Sequence, residues 1–273
     1  MTTIVITGAN TGIGRATAEG LAAPGTKLIL AGRSLERTQE VIDAAKARGA
    51  EVEFVELDLA NLASTRKAAA EIMAKAPQID VLINNAGVGG VRGKTSDGFE
   101  MNVGINHLGH FALTMGLIEG LKASKTRVVC VASEMHRRSE TLDFAAFEGP
   151  TKSVTGIDEY CDSKLCNVLF ASELARRYGE HGITAVSVHP GFIASDIWRH
   201  IPAPVRWGMK LFMSMSSTED GARTSVHCAT APLEAGLNGA YFDASKPREP
   251  ARVAQDQALA KELWERSAKL VSR

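Results

Sequence analysis

Thr2-Thr3-Ile4-Val5-Ile6 leads directly into Thr7-Gly8-Ala9-Asn10-Thr11-Gly12-Ile13-Gly14, and a helical pattern runs on from Arg15 to Leu21. The first of these segments is mostly β-branched and reads as a strand. The glycines permit a tight turn in which backbone can come close to a phosphate. The helix that opens behind them offers unbonded N–H groups and the positive end of its dipole. Strand, glycine turn and helix in that order predict a nucleotide-binding α/β unit, with the spacing GxxxGxG rather than GxGxxG.

The rest of the chain continues the alternation. Further strands are expected at 27–31, 51–57, 81–84, 127–132, 184–189 and 239–242, and helices at 35–48, 62–76, 99–121, 158–178, 218–229 and 254–270. Several of the strands are short and wholly apolar, as a sheet covered on both faces requires. The pattern predicts an α/β fold, a single Rossmann-type domain over residues 1–273 whose doubly wound parallel sheet carries helices on both faces. Ligands of such sheets bind at the carboxyl ends of the strands. Asp58, Asn84-Asn85-Ala86-Gly87, Ser133 and His189-Pro190-Gly191 all fall at such ends, which points to one shared cleft.

With 273 residues, 45% of them hydrophobic, the chain has material for a full core. Its 31 basic and 31 acidic side chains cancel, and no basic stripe argues for a nucleic-acid partner. Cys130, Cys161, Cys166 and Cys228 form no metal-binding spacing and read as core thiols of a reducing compartment. No apolar run reaches the length of a membrane span and no signal peptide is evident, so a soluble cytoplasmic protein is expected. His107 and His110 read as helix and packing residues, and no metal site is expected.

Tyr160 and Lys164 stand four apart in a predicted helix and so share a face. An ammonium beside a phenol favours phenolate and is expected to draw the tyrosine's pKa down towards working pH, which makes a usable general acid or base.

TGANTGIG at 7–14, Asp58-Leu59, NNAG at 84–87, Ser133, YCDSK at 160–164 and HPG at 189–191 together resemble the short-chain dehydrogenase/reductases over essentially the whole chain. NHLGHF at 106–111, YCDSKLCNVLF at 160–170, YFDASKP and LWERS are similar to the retinol dehydrogenase-like branch. The resemblance implies roles. Tyr160 would exchange a proton with the reacting oxygen, Ser133 would polarise that oxygen, and Lys164 would lower the Tyr160 pKa and hold the nicotinamide ribose. Asn106 would bind the water that links Lys164 to solvent. Cofactor contacts would come from Gly8, Asn10, Thr11, Gly12, Ile13, Gly14, Arg33, Asp58, Leu59, Asn85, Ala86, Gly87, Tyr160, Lys164, Pro190, Gly191, Ile193 and Ser195.

Two departures from the branch stand out. Ala132 replaces a second serine before Ser133, and Ser195 stands where relatives often carry threonine, as a cofactor contact or a helix N-cap. At the end of the second predicted strand Gly32 occupies the place of the aspartate of NAD-preferring relatives, and Arg33 follows it. NADP(H) is therefore the expected cofactor, with NAD(H) possible. A stretch rich in Trp, Met and Phe, with Trp207, Phe212 and Met213, would form a substrate lid at about 196–217 and favour a lipophilic carbonyl or alcohol. A conjugated double-bond reductase of the protochlorophyllide reductase type and a non-catalytic NADP-binding sensor remain as alternatives. Cys166, Phe170 and Leu174 form a second apolar side of the Tyr160 helix and suggest a homodimer.

Overall fold

The computed structural model describes residues 1–191 and 217–273. The expected lid, all but its last residue, lies outside these, as do Ile193 and Ser195. Strands β1 (Thr2–Thr7), β2 (Thr26–Gly32), β3 (Glu51–Glu56), β4 (Val81–Asn84), β5 (Arg127–Val131), β6 (Thr184–His189), β7 (Tyr241–Asp243) and β8 (Lys246–Pro247) form one sheet in the order β3-β2-β1-β4-β5-β6-β7-β8. All pairings are parallel except the last, β7 with β8. The strand order reverses between β1 and β4, and at such a switch point the loops diverge and leave a crevice.

Alternation along each strand sends neighbouring side chains to opposite faces. Val5, Ile29, Leu82 and Val128 pack on one face. Ile4, Ile6, Leu28, Leu30, Ile83 and Val129 pack on the other. Helices α1 (Gly12–Leu21), α2 (Leu35–Ala47) and α6 (Thr218–Thr230) cover the second face, and α3 (Leu62–Lys75), α4 (His110–Ser124) and α5 (Ile157–Tyr178) cover the first. Helix α7 (Gln257–Val271) lies outside α5.

The structure amends the sequence reading at three places. The helix expected over 99–121 is broken: a short turn Met101–Val103 passes into a π-helical segment, Gly104–Gly109, before α4 begins. The widened turn carries Asn106. The last expected strand is shorter and is followed by β8, an edge strand whose Pro247 needs no ladder partner for an N–H it lacks. The apolar side of the Tyr160 helix that suggests a dimer surface is covered within the chain. Cys166, Phe170 and Leu174 are buried, and Trp264 of α7 stacks on Phe170 with ring centroids 5.7 Å apart and meets Phe111 at 5.0 Å. Arg177 lies over the same indole at 4.9 Å.

Candidate functional site

The glycine turn joins β1 to α1. Gly8 has φ +68, and a Cβ there would stand 2.8 Å from Ala86 Cα, so only glycine lets the turn lie against the loop after β4. Gly14 serves contact rather than conformation, because a Cβ would come within 2.3 Å of the Gly8 carbonyl oxygen and 2.4 Å of Asn85 Nδ2. Both neighbours are held in place, so Gly14→Ala is expected to cost about 1–3 kcal/mol or more, read as a lower urea midpoint. An unchanged midpoint would show that the turn can relax.

Thr7 organises the loop after β4. Its Oγ1 accepts from the backbone N–H of Asn85 and of Ala86, each at 2.9 Å, while Asn85 Nδ2 donates to the Thr7 carbonyl at 2.8 Å. The start of α1 remains open. Its N-cap Thr11 makes no side-chain cap and no acidic residue occupies its first turn, whereas Ser34, Asn61 and Asp256 cap α2, α3 and α7. An uncapped helix start with no competing carboxylate suits an anion. At the end of β2, a side chain at Gly32 would meet nothing within 4 Å, and Arg33 is exposed with no ion pair among the described residues. This donor set fits the phosphates of a pyridine dinucleotide. Asp58 spends one carboxylate oxygen on the Ala60 N–H at 3.0 Å, and Leu59 is buried under Gly109. Pro190 and Gly191 follow β6, with Gly191 at φ +87.

Across the crevice, α5 presents Tyr160 and Lys164 to the end of β5. Both are buried, and Lys164 Nζ stands 5.7 Å from the centroid of the Tyr160 ring. Nζ donates to the Val131 carbonyl at 2.9 Å, where Asn167 Nδ2 also donates at 3.0 Å. Burial pulls the Lys164 pKa down to about 8. The expected depression of Tyr160 does not occur in this arrangement. Burial pushes the phenol above its ordinary value, opposed by a hydrogen bond from Ser133. The physical reason is placement: the helical spacing sets the ammonium against the ring and aims it at Val131, while burial acts on the whole phenol. At neutral pH Tyr160 is therefore a phenol with a proton to give. Ser133 Oγ accepts the Met135 N–H at 3.2 Å, which turns its own hydrogen away from the backbone.

The Asn106 side chain is bonded within the protein. Its Nδ2 donates to the Val88 carbonyl and to Ser163 Oγ, both at 2.9 Å, and its Oδ1 accepts from Val88 N at 2.8 Å. Both amide hydrogens are spent on protein. The side chain fastens the loop after β4 to α5, where Ser163 Oγ donates to the Tyr160 carbonyl at 2.7 Å. The spacing of Thr7, Ser163 and Asn167 held no signal of these bonds except that Asn167 lies three residues after Lys164, on the same helical face.

His107 and His110 are both buried in the interior. His107 Nε2 pairs with Ser267 Oγ at 2.8 Å, and His110 bridges Asn106 and Thr7. Burial pulls their pKa values down to about 3 and about 4. Both folded values lie below the unfolded one, so between pH 6.5 and 4 the unfolded chain binds protons that the folded chain refuses. Stability is then present above about 6.5 and lost as pH falls, by up to about 1.4 kcal/mol per pH unit for each ring. Urea midpoints between pH 7 and 5 should fall, and His107→Gln should flatten the slope by about one proton. An unaltered slope would mean that the ring titrates normally.

A family model described as short chain dehydrogenase matches residues 2–205. Retinol dehydrogenase 11 of Homo sapiens is 40% identical, the match covering 98% of this chain and 85% of that protein. Retinol dehydrogenase 13 of Homo sapiens is 39% identical, with 98% and 84% covered. Among solved structures, a provisionally assigned NAD(P)-dependent gluconate 5-dehydrogenase from Beutenbergia cavernae, with NADP bound at low occupancy, superposes with a TM-score of 0.69. It shares 23% identity over 89% of this chain and 94% of that one, a likeness of fold alone.

Proposed function

Because the chain belongs to the short-chain dehydrogenase family, in its retinol dehydrogenase-like branch, and is thereby an oxidoreductase acting on CH–OH/C=O groups with NAD(P), we propose that it interconverts a lipophilic aldehyde or ketone and its alcohol, prefers NADP(H) to NAD(H), and uses Tyr160 as general acid and base. The observation that carries this reading is the meeting of buried Tyr160, Ser133 and Lys164 at the carboxyl end of β5. NADP(H), when bound, supplies or accepts the hydride. In the reducing direction the Ser133 hydroxyl and the Tyr160 phenol donate to the substrate oxygen, stabilise the charge that gathers there, and the phenol then yields its proton. Lys164 keeps a cation in the same buried pocket and would hold the nicotinamide ribose.

The exposed Arg33, without an ion pair among the described residues, beside the bare Gly32 supports the NADP(H) preference. A charge-assisted contact to the 2′-phosphate is worth roughly 1.5–3 kcal/mol, about ten- to a hundred-fold in affinity. Four buried, unpaired thiols suit a reducing, cytoplasmic setting. A homodimer, if formed, has to use another face than the one that α7 covers.

The test is a homologous series of aldehydes, ketones and enones with NADPH and NADH oxidation as readout. Catalytic efficiency is expected to rise from short aliphatic aldehydes to bulky, retinal-like carbonyl compounds, by roughly 25 cal/mol for each Å² of apolar surface buried. NADPH should bind at least tenfold more tightly than NADH, and Arg33→Ala should narrow that gap by weakening NADPH. Equal affinities in the parent protein would remove the argument from Arg33, and a flat series would remove the lipophilic substrate. Reduction of enones alone would favour the double-bond reductase, and NADPH binding without turnover the sensor.

A further inference from the structure

Asn106 O is a backbone carbonyl and can only accept, so the His110 Nδ1 that meets it at 3.0 Å carries the ring's proton. In the neutral ring Nε2 is then an acceptor, and it faces Thr7 Oγ1 at 2.9 Å. The other end requires the same tautomer. Both lone pairs of the Thr7 oxygen are taken by the Asn85 and Ala86 N–H groups, which leaves it only a proton to offer. Among the described residues that proton has one other acceptor, the Ile83 carbonyl, at the longer distance of 3.4 Å. A protonated ring would press a second N–H against an oxygen with no lone pair to give. His110 is therefore held as a neutral, directional link, 2% exposed, at the first residue of α4.

The link joins the two halves of the site. On one side Thr7 holds the glycine turn to the loop after β4. On the other Asn106 reaches through Ser163 to the Tyr160 carbonyl on α5. We propose that His110 is a positioning residue of the oxidoreductase, one that sets the register between the cofactor-binding turn and the helix bearing Tyr160 and Lys164. The inference rests on the carbonyl–alcohol oxidoreductase reading above. His110 acts through Asn106 and touches no reacting atom. Its loss leaves Thr7 its two amide partners and a fallback acceptor in Ile83, so the cofactor turn keeps its shape while the Asn106 carbonyl loses its donor.

That asymmetry supplies the test. His110→Leu, His110→Asn and His110→Gln are compared with the parent for NADPH dissociation constant, kcat and carbonyl KM. Asparagine can serve the Asn106 carbonyl but cannot reach Thr7; glutamine is long enough to serve Thr7. His110→Leu is expected to lower kcat about tenfold or more with the NADPH constant within threefold, and His110→Asn to recover most of the loss while His110→Gln recovers less. Nitrogen NMR of the parent's His110 ring should report a neutral Nδ1–H tautomer down to pH 5, a readout that needs neither turnover nor a folded variant. Parent-like kcat in His110→Leu, a fall in kcat that asparagine does not relieve, or an Nε2–H tautomer would each overturn the proposal. A parent protein that turns over no carbonyl compound would instead overturn the oxidoreductase reading, and this inference with it.

Discussion

Tyr160→Phe is expected to lower kcat/KM for carbonyl reduction by about 100-fold or more, the usual worth of a positioned proton donor. The change removes one oxygen and its hydrogen. The ring stays, and with it the packing inside α5 and the cation–ring contact with Lys164 at 5.7 Å. Because burial holds the phenol above its ordinary pKa, the residue is protonated throughout the neutral range and ready for the reducing direction. Ser133 cannot replace it. A serine hydroxyl can share its hydrogen with a developing oxyanion but is too weak an acid to surrender it. NADPH affinity, measured by fluorescence, should stay within about threefold, since a 1.4 kcal/mol difference is already tenfold. Near-normal turnover in Tyr160→Phe would sink the proposed mechanism outright.

Lys164→Met should separate activity from stability in opposite directions. The ammonium is 2% exposed and commits one of its three hydrogens, to Val131, among the described residues. Its pKa of about 8 against 10.5 measures how strongly the interior resists the charge. At neutral pH the group is still charged, so its burial costs roughly 3 kcal/mol. Methionine fills nearly the same volume without a charge, and the Val131 carbonyl keeps its bond from Asn167. The variant should therefore unfold at higher urea than the parent at pH 7. It should also lose about 100-fold or more in kcat/KM and bind NADPH more weakly, because the proposed mechanism gives one side chain both tasks. The sign with pH is definite. The folded pKa lies below the unfolded one, so between about 8 and 10.5 the unfolded parent holds a proton that the folded parent has shed. Parental stability rises over that window, and the advantage of methionine should shrink across it. A variant less stable than the parent at pH 7 would mean that Lys164 is held by favourable contacts rather than tolerated for function.

The chain alone determined the architecture and most of the cleft. The apolar runs at β1, β4 and β5, the glycine turn and the alternation with helices leave one economical solution, a parallel sheet covered on both faces, and such a sheet collects its ligands at the strand ends. Periodicity and turn chemistry are local, so they survive in a linear reading. What only the tertiary structure decided are the pairings between distant segments and the balance of burial. No spacing tells that Asn106 spends its amide on Val88 and Ser163, or that His110 joins Thr7 to the Asn106 carbonyl across 103 residues of sequence. The π-helical turn that makes this possible depends on packing around Gly104–Gly109 and looks like an ordinary helix in sequence. The Tyr160–Lys164 pair was legible by its spacing, yet the direction of the tyrosine's pKa was not, because spacing sets a face while burial and the aim of Nζ at Val131 set the electrostatics. Likewise Cys166, Phe170 and Leu174 formed a visible apolar side, but what covers it is Trp264, nearly a hundred residues on, and only the folded chain brings the two together.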